Sequence, residues 1–188
     1  MDLNDLELRD ELVRRAALDQ NARRAVNTSI SSDGCAIGNS PDEREAIREL
    51  EHVDAQNTAW LYGVVSSSGW PTRNRVGDEA ARAAWLLVQH ADHDPGFQKA
   101  CLDQLGALAD DDVDRTLVAY LTDRVNLAHG LPQTYGTQLE NHDGTWRPRT
   151  LEDPTNVDKR RAAVGLSTLA EYLDIFATGR HRRPNTET

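Results

Sequence analysis

The chain has 188 residues, 38% of them hydrophobic and 28% charged, and a formal net charge of -10. That length suits one domain with a sizeable core. The acidic balance argues against nucleic acid as a partner, because nucleic acid calls for a basic patch.

An amphipathic first helix is expected over residues 3–26, with Leu6, Val13 and Ala17 on its inner face. A Ser- and Gly-rich loop follows at 27–40 and holds Cys35. Ser40-Pro41-Asp42-Glu43 then reads as a helix start: Ser40 is the N-cap, Pro41 the first position, and Glu43 completes a capping box. This second helix runs to about Ser68 and stops at Gly69-Trp70-Pro71. A third, from near Val76 to His90, is apolar almost all round and is expected to be the buried central helix. Asp94-Pro95 caps a fourth, with Phe97, Cys101, Leu105 and Leu108 inward. Asp111 or Asp112 starts a fifth, with Val113, Leu117, Tyr120 and Ala128 inward, ending at Gly130.

Residues 130–155 show no helical period and read as one long irregular loop, in which His142-Asp143-Gly144-Thr145 can turn a short hairpin. Loops of this length inside a compact domain are often functional. The last helix starts near Thr155 or Asn156 and carries Val157, Val164, Leu169, Tyr172 and Phe176. The expected fold is all-α, a compact bundle or orthogonal array of about six helices around that loop. It forms a single domain over 1–178, followed by a flexible tail at 179–188 that holds Arg180, His181, Arg182 and Arg183. No apolar run approaches the roughly 18 residues of a membrane span, and Met1-Asp2-Leu3-Asn4-Asp5 lacks the regions of a signal peptide. No membrane partner is expected, and a cytoplasmic location follows by elimination. Cys35 and Cys101 make neither a disulfide framework nor a zinc site.

Each helical residue lies about 100° from the last. On that geometry Asp54 and Asn57 fall inside the apolar stripe of Ile47, Leu50, Leu61, Val64 and Val65, whereas His52 faces solvent. A buried carboxylate needs a cation, hydrogen bonds or a water-filled pocket. Arg124, beside Asp123, falls on the inner side of the fifth helix, and Arg161 on that of the last. Both guanidiniums are natural partners for an inward carboxylate. Two readings stay open for these groups, a structural ion network and the floor of a pocket for a polar ligand.

Gln89-His90-Ala91-Asp92-His93-Asp94 is the densest group of catalytic-type side chains. A histidine titrates at about pH 6.5, which suits proton transfer at neutral pH. His90 is therefore the candidate general acid or base, with Asp54 orienting it; a core histidine bonded to a backbone carbonyl is the alternative. His90 and His93, three apart, form a weak candidate pair for a divalent metal such as zinc, and no other cofactor is indicated. Trp70 is a candidate pocket wall. Gln89, and on the long loop Gln133, Tyr135 and Gln138, offer hydrogen-bonding side chains for a substrate. A phosphate-binding glycine loop, a Gly-x-Ser-x-Gly elbow and a His-Glu-x-x-His helix are all absent. These features point to a small helical enzyme acting on a polar small molecule by His-assisted acid/base chemistry, of hydrolase or lyase/cyclase type. The alternative is a non-catalytic protein that binds a metabolite or a peptide segment in the same pocket.

Several segments together carry a family resemblance: Gly69-Trp70-Pro71, Val76-Gly77, Ala84 to Asp92, Phe97-Gln98, Tyr120 to Val125, and Gln133 to Gln138. They resemble a bacterial family of unknown function, number 6624 in the domain-of-unknown-function series, over roughly residues 45–175. The resemblance implies that the Gln-His-Ala-Asp and Tyr-Gly-Thr-Gln stretches belong to one design, and it carries no activity. The N-terminal segment and the loop with Cys35 lie outside it.

Overall fold

The computed structural model describes residues 4–29 and 40–178. The expectations for Cys35 and for the tail at 179–188 lie outside these residues. The fold is all-α, as expected. Its helices among the described residues are α1 (Asp5–Ser29), α2 (Pro41–Ser68), α3 (Arg73–Gln89), α4 (Pro95–Gly106), α5 (Arg115–Ala128), α6 (Val157–Ala163) and α7 (Leu169–Ala177). One antiparallel pair, β1 (Leu139–His142) and β2 (Thr145–Pro148), accompanies them. The chain forms two compact units, one ending at Val113 and the other beginning at Asp114.

In the first unit α3 is central and packs against α1, α2 and α4. Val76, Ala80, Ala83, Ala84, Leu87 and Val88 are its buried apolar residues. It starts at Arg73, earlier than expected, because Gly77 (φ 82°, ψ 167°) separates an opening turn from the regular helix. The capping box of α2 is formed: Glu43 N–H donates to Ser40 Oγ at 3.0 Å and Ser40 N–H to Glu43 Oε2 at 2.9 Å. Asp94 caps α4, accepting from Phe97 N–H at 2.9 Å.

The phase of α1 differs from expectation. Leu6 is 61% exposed and Ala17 is exposed, while Leu8 and Leu12 are buried, with Asp19 and Ala22 on the same stripe. The helix is rich in charge, so its few apolar residues fit two rotations about its axis. Packing on α2 and α3 selects the one that buries both leucines, each worth about 1.5–3 kcal/mol. The same rotation carries Asp19 inside.

In the second unit Asp114 caps α5, its carboxylate accepting from Thr116 N–H at 2.9 Å. Ala119, Leu121, Asp123 and Val125 are buried, whereas Ala128, expected inward, is exposed. The hairpin forms where Asp143-Gly144 predicts it, with His142 opposite Thr145. Asp143 (φ 51°) and Gly144 (φ 83°) supply the two left-handed residues that a tight turn between twisted strands requires. The expected single last helix is two. Gly165 (φ 81°) ends α6, and a second capping box opens α7, in which Thr168 N–H donates to Glu171 Oε2 at 2.9 Å.

Candidate acid/base site

On α1, Glu11, Arg15, Asp19 and Arg23 recur every four residues, so their side chains form one column of alternating charge. Arg15 Nε donates to Glu11 at 2.7 Å, its Nη1 donates to Asn57 Oδ1 at 3.1 Å, and its guanidinium lies 4.5 Å from the Trp60 ring centre. Two turns on, Arg23 Nη2 donates to both oxygens of Asp54, at 2.8 and 2.9 Å. The two contacts run in opposite directions along α1 and α2, so the helices are antiparallel and Asp19 lies between the bonded pairs.

Asp19 is fully buried and meets His90 there. Its Oδ1 is 2.8 Å from His90 Nδ1, and its Oδ2 accepts from Gln20 Nε2 at 2.8 Å. Arg23 Nε lies 3.0 Å from the same Nδ1 and 3.3 Å from Asp19 Oδ1. A carboxylate oxygen at hydrogen-bond distance from a bare ring nitrogen would set lone pair against lone pair. Arg23 Nε–H points to both Nδ1 and Oδ1; a proton on Nδ1 lets the ring donate to Asp19 and leaves Arg23 Nε–H to the carboxylate. Nε2, on the far side of the ring, has no partner among the described residues. His90 closes α3 in a non-helical conformation (φ −98°, ψ 2°).

The environment pushes the two carboxyls apart. Burial drives Asp19 upward, but the hydrogen bond and charge of His90, with Arg23 and Gln20, outweigh it and hold Asp19 below its ordinary range. Burial drives Asp54 upward as well; Arg23 opposes this, the nearby Asp19 charge adds to it, and Asp54 ends above its ordinary range. An ionised carboxylate and one that holds its proton more tightly thus share an arginine and flank an imidazole.

The structure brings His90 and Asp54 together through two residues that sequence reasoning missed, Asp19 and Arg23. The missing signal was the i, i+4 column read in the phase of Leu8 and Leu12. The guanidinium on Asp54 is that of Arg23. The ring partner of His90 is a carboxylate and not a backbone carbonyl. Asn57 is buried, and its Nδ2 has no partner among the described residues. Gln89 is likewise buried with an unpartnered Oε1. Trp70 is buried, and its backbone N–H donates to Gln104 Oε1 at 3.1 Å. His93 is exposed. Among the described residues no group of three or more His, Cys, Asp or Glu is arranged to hold a metal ion.

The remaining predicted residues belong to the second unit, where Asp123 organises the loop. Its carboxylate accepts from the N–H groups of Thr134, Tyr135 and Thr137 at 2.8–2.9 Å, and from Thr137 Oγ1. Arg161, almost wholly buried, donates to Tyr135 O at 2.7 Å and Ser167 O at 2.6 Å, and lies 5.0 Å from the Tyr172 ring centre. Gln133 brackets the loop, donating to Gln138 O at 3.0 Å and accepting from Gln138 N–H at 2.7 Å. Gln138 Nε2 lies 3.2 Å from Thr137 Oγ1. Burial pushes the Tyr135 phenol up. Arg124 is half-buried on α5.

The architecture is thus an all-α protein whose first unit carries a carboxylate–imidazole–guanidinium–carboxylate cluster. The chain belongs to the family of unknown function DUF6624, which matches residues 6–180. That match takes in α1 with Asp19 and Arg23, the segment that the resemblance from local motifs left out. No curated protein and no solved structure matches the chain. No helix among the described residues is long and apolar enough to cross a membrane.

Proposed function

We propose that the first unit is an acid/base centre acting on a polar small molecule, of hydrolase or lyase/cyclase type. The observation that carries this reading is the 2.8 Å contact between Asp19 Oδ1 and His90 Nδ1, which leaves Nε2 as the ring's available lone pair. In this role Nε2 takes a proton from water or from the substrate, and the buried Asp19 carboxylate stabilises the resulting imidazolium. Asp54, paired through both oxygens with Arg23, orients and tunes the cluster, its carboxyl lying above its ordinary range and that of Asp19 below. Arg23 sets the spacing of the two carboxylates and His90. The buried free thiol of Cys101 suits a reducing, cytoplasmic setting.

The unpartnered Asn57 Nδ2 and Gln89 Oε1 favour a second reading, ligand binding without turnover. One experiment separates the two. The purified protein is screened for turnover against a library of polar esters, amides and lactams, with His90→Gln and Asp19→Asn at matched stability. The acid/base reading expects turnover that His90→Gln abolishes and Asp19→Asn lowers by about 10²-fold or more. Turnover that survives His90→Gln contradicts it. Saturable binding of a library member with no chemical change supports the second reading instead.

A further inference from the structure

Gln98, on α4, is buried with no exposure, although it is a polar residue with no part in the acid/base cluster. Its Nε2 reaches back across the turn between α3 and α4, to Val88 O at 3.0 Å, Gln89 O at 3.4 Å and Asp92 Oδ1 at 3.2 Å. Those acceptors lie on both sides of His90 in the chain. The carbonyls of a helix's last turn lack the donor one turn on, and here Val88 O takes Ala91 N–H together with the side-chain amide of the next helix. Three acceptors share two hydrogens, which also settles which end of the carboxamide is nitrogen.

The backbone closes the same ring. Ala91 N–H donates to Val88 O, Asp94 N–H to Ala91 O, and Gln98 N–H to Asp94 O, at 2.9–3.1 Å. His90 sits within this closed turn in a non-helical conformation, so its ring direction depends on the turn and not on a helix. Its ring is held from the other side by Asp19, itself fixed by Gln20 and Arg23.

We infer that Gln98 is a positioning residue for His90: its carboxamide clamps the 88–92 turn so that Nδ1 stays on Asp19 and Nε2 stays turned toward the substrate. This rests on the acid/base reading of His90 for its function, but not for its test. A proton-transfer group displaced by even about 1 Å loses roughly 10² in rate, so such a clamp matters to the chemistry as well as to stability.

The test reads the imidazole by ¹⁵N-resolved NMR of the full chain. Wild type is expected to show a hydrogen-bonded Nδ1–H signal for His90. Gln98→Met keeps the side chain's length and burial but offers no donor. It is expected to lose that signal and to shift the ring nitrogens toward a tautomer mixture, while amides remote from the turn stay in place. A persisting Nδ1–H signal in Gln98→Met overturns the inference and leaves Gln98 as packing alone. Should that variant not fold, Gln98→Leu, read at the same neutral pH, decides: it offers no donor, and the Nδ1–H signal is expected to be lost. A persisting Nδ1–H signal in Gln98→Leu overturns the inference. Because neither arm uses a substrate, failure of the acid/base reading, seen as turnover in His90→Gln, is a separate result.

Discussion

Asp19 and His90 lie 71 positions apart in the chain and 2.8 Å apart in space, which joins the middle of α1 to the end of α3. The contact places an ionised carboxylate, shielded from water, against a ring nitrogen. It orders the imidazole and gives its two nitrogens different roles.

The two carboxyls that share Arg23 are expected to affect stability in opposite senses. Asp19 has a folded-state value below its ordinary 3.8, so its contribution is present above that value and is lost as the pH falls through the folded one. Asp54 has a folded-state value above 3.8, so its contribution is full below 3.8 and is lost as the pH rises through the folded one. At pH 7 Asp19→Asn is expected to cost about 1–3 kcal/mol, and Asp54→Asn less. On acidification wild type should gain on Asp54→Asn and lose its margin over Asp19→Asn. Urea unfolding between about pH 3 and 8 measures this; equal, pH-independent costs for both variants contradict it.

Asn57 tests the cost of an unpartnered donor. Its Oδ1 serves Arg15, which Glu11 and Trp60 also hold, and its Nδ2 serves no described residue. Asn57→Leu removes the orphaned hydrogens and adds apolar contact at similar volume. The expected change in unfolding free energy is within about 1 kcal/mol, because the lost hydrogen bond is offset by the relieved desolvation. Destabilisation of several kcal/mol would show that Nδ2 is satisfied in the folded protein.

Asp123 is the anchor of the 134–137 segment. Asp123→Ala strands the N–H groups of Thr134, Tyr135 and Thr137 together. A loss of at least about 3 kcal/mol is expected, with those amides losing protection in hydrogen exchange ahead of α5. Unchanged protection at these amides would rule out the anchoring role.

Arg161 distinguishes guanidinium from ammonium. Its Nε and Nη1 address two carbonyls on different segments while its plane faces Tyr172. Arg161→Lys keeps the charge but cannot span Ser167 and Tyr135 in the same geometry. It should cost about 2 kcal/mol in chemical denaturation, and a variant as stable as wild type would reduce the residue to its charge.

Several elements were legible because their signals are local. The Ser40–Glu43 box, the Asp94 cap and the Asp143-Gly144 turn each involve residues at most three apart, and each formed where expected. The break between α6 and α7 carried the same kind of signal, Thr168 to Glu171, but the apolar spacing across Gly165 concealed it. His90 and Asp54 stood out because polar side chains occupied chemically telling positions. Their partners did not: Asp19 and Arg23 look like ordinary surface charges on a helix that has many.

What the sequence by itself determined was the helical content, the caps and turns, and the candidacy of His90 and Asp54, because these depend on neighbours within a turn of backbone. The rotation of α1 was decided only by packing, since two faces of that helix are nearly equal until α2 and α3 cover one of them. That rotation chose which carboxylate meets the imidazole. Burial, which exists only in the folded chain, then pushed both chemically identical carboxyls up, and the contacts of Asp19 with His90, Arg23 and Gln20, equally products of the fold, brought it below its ordinary range while Asp54 stayed above.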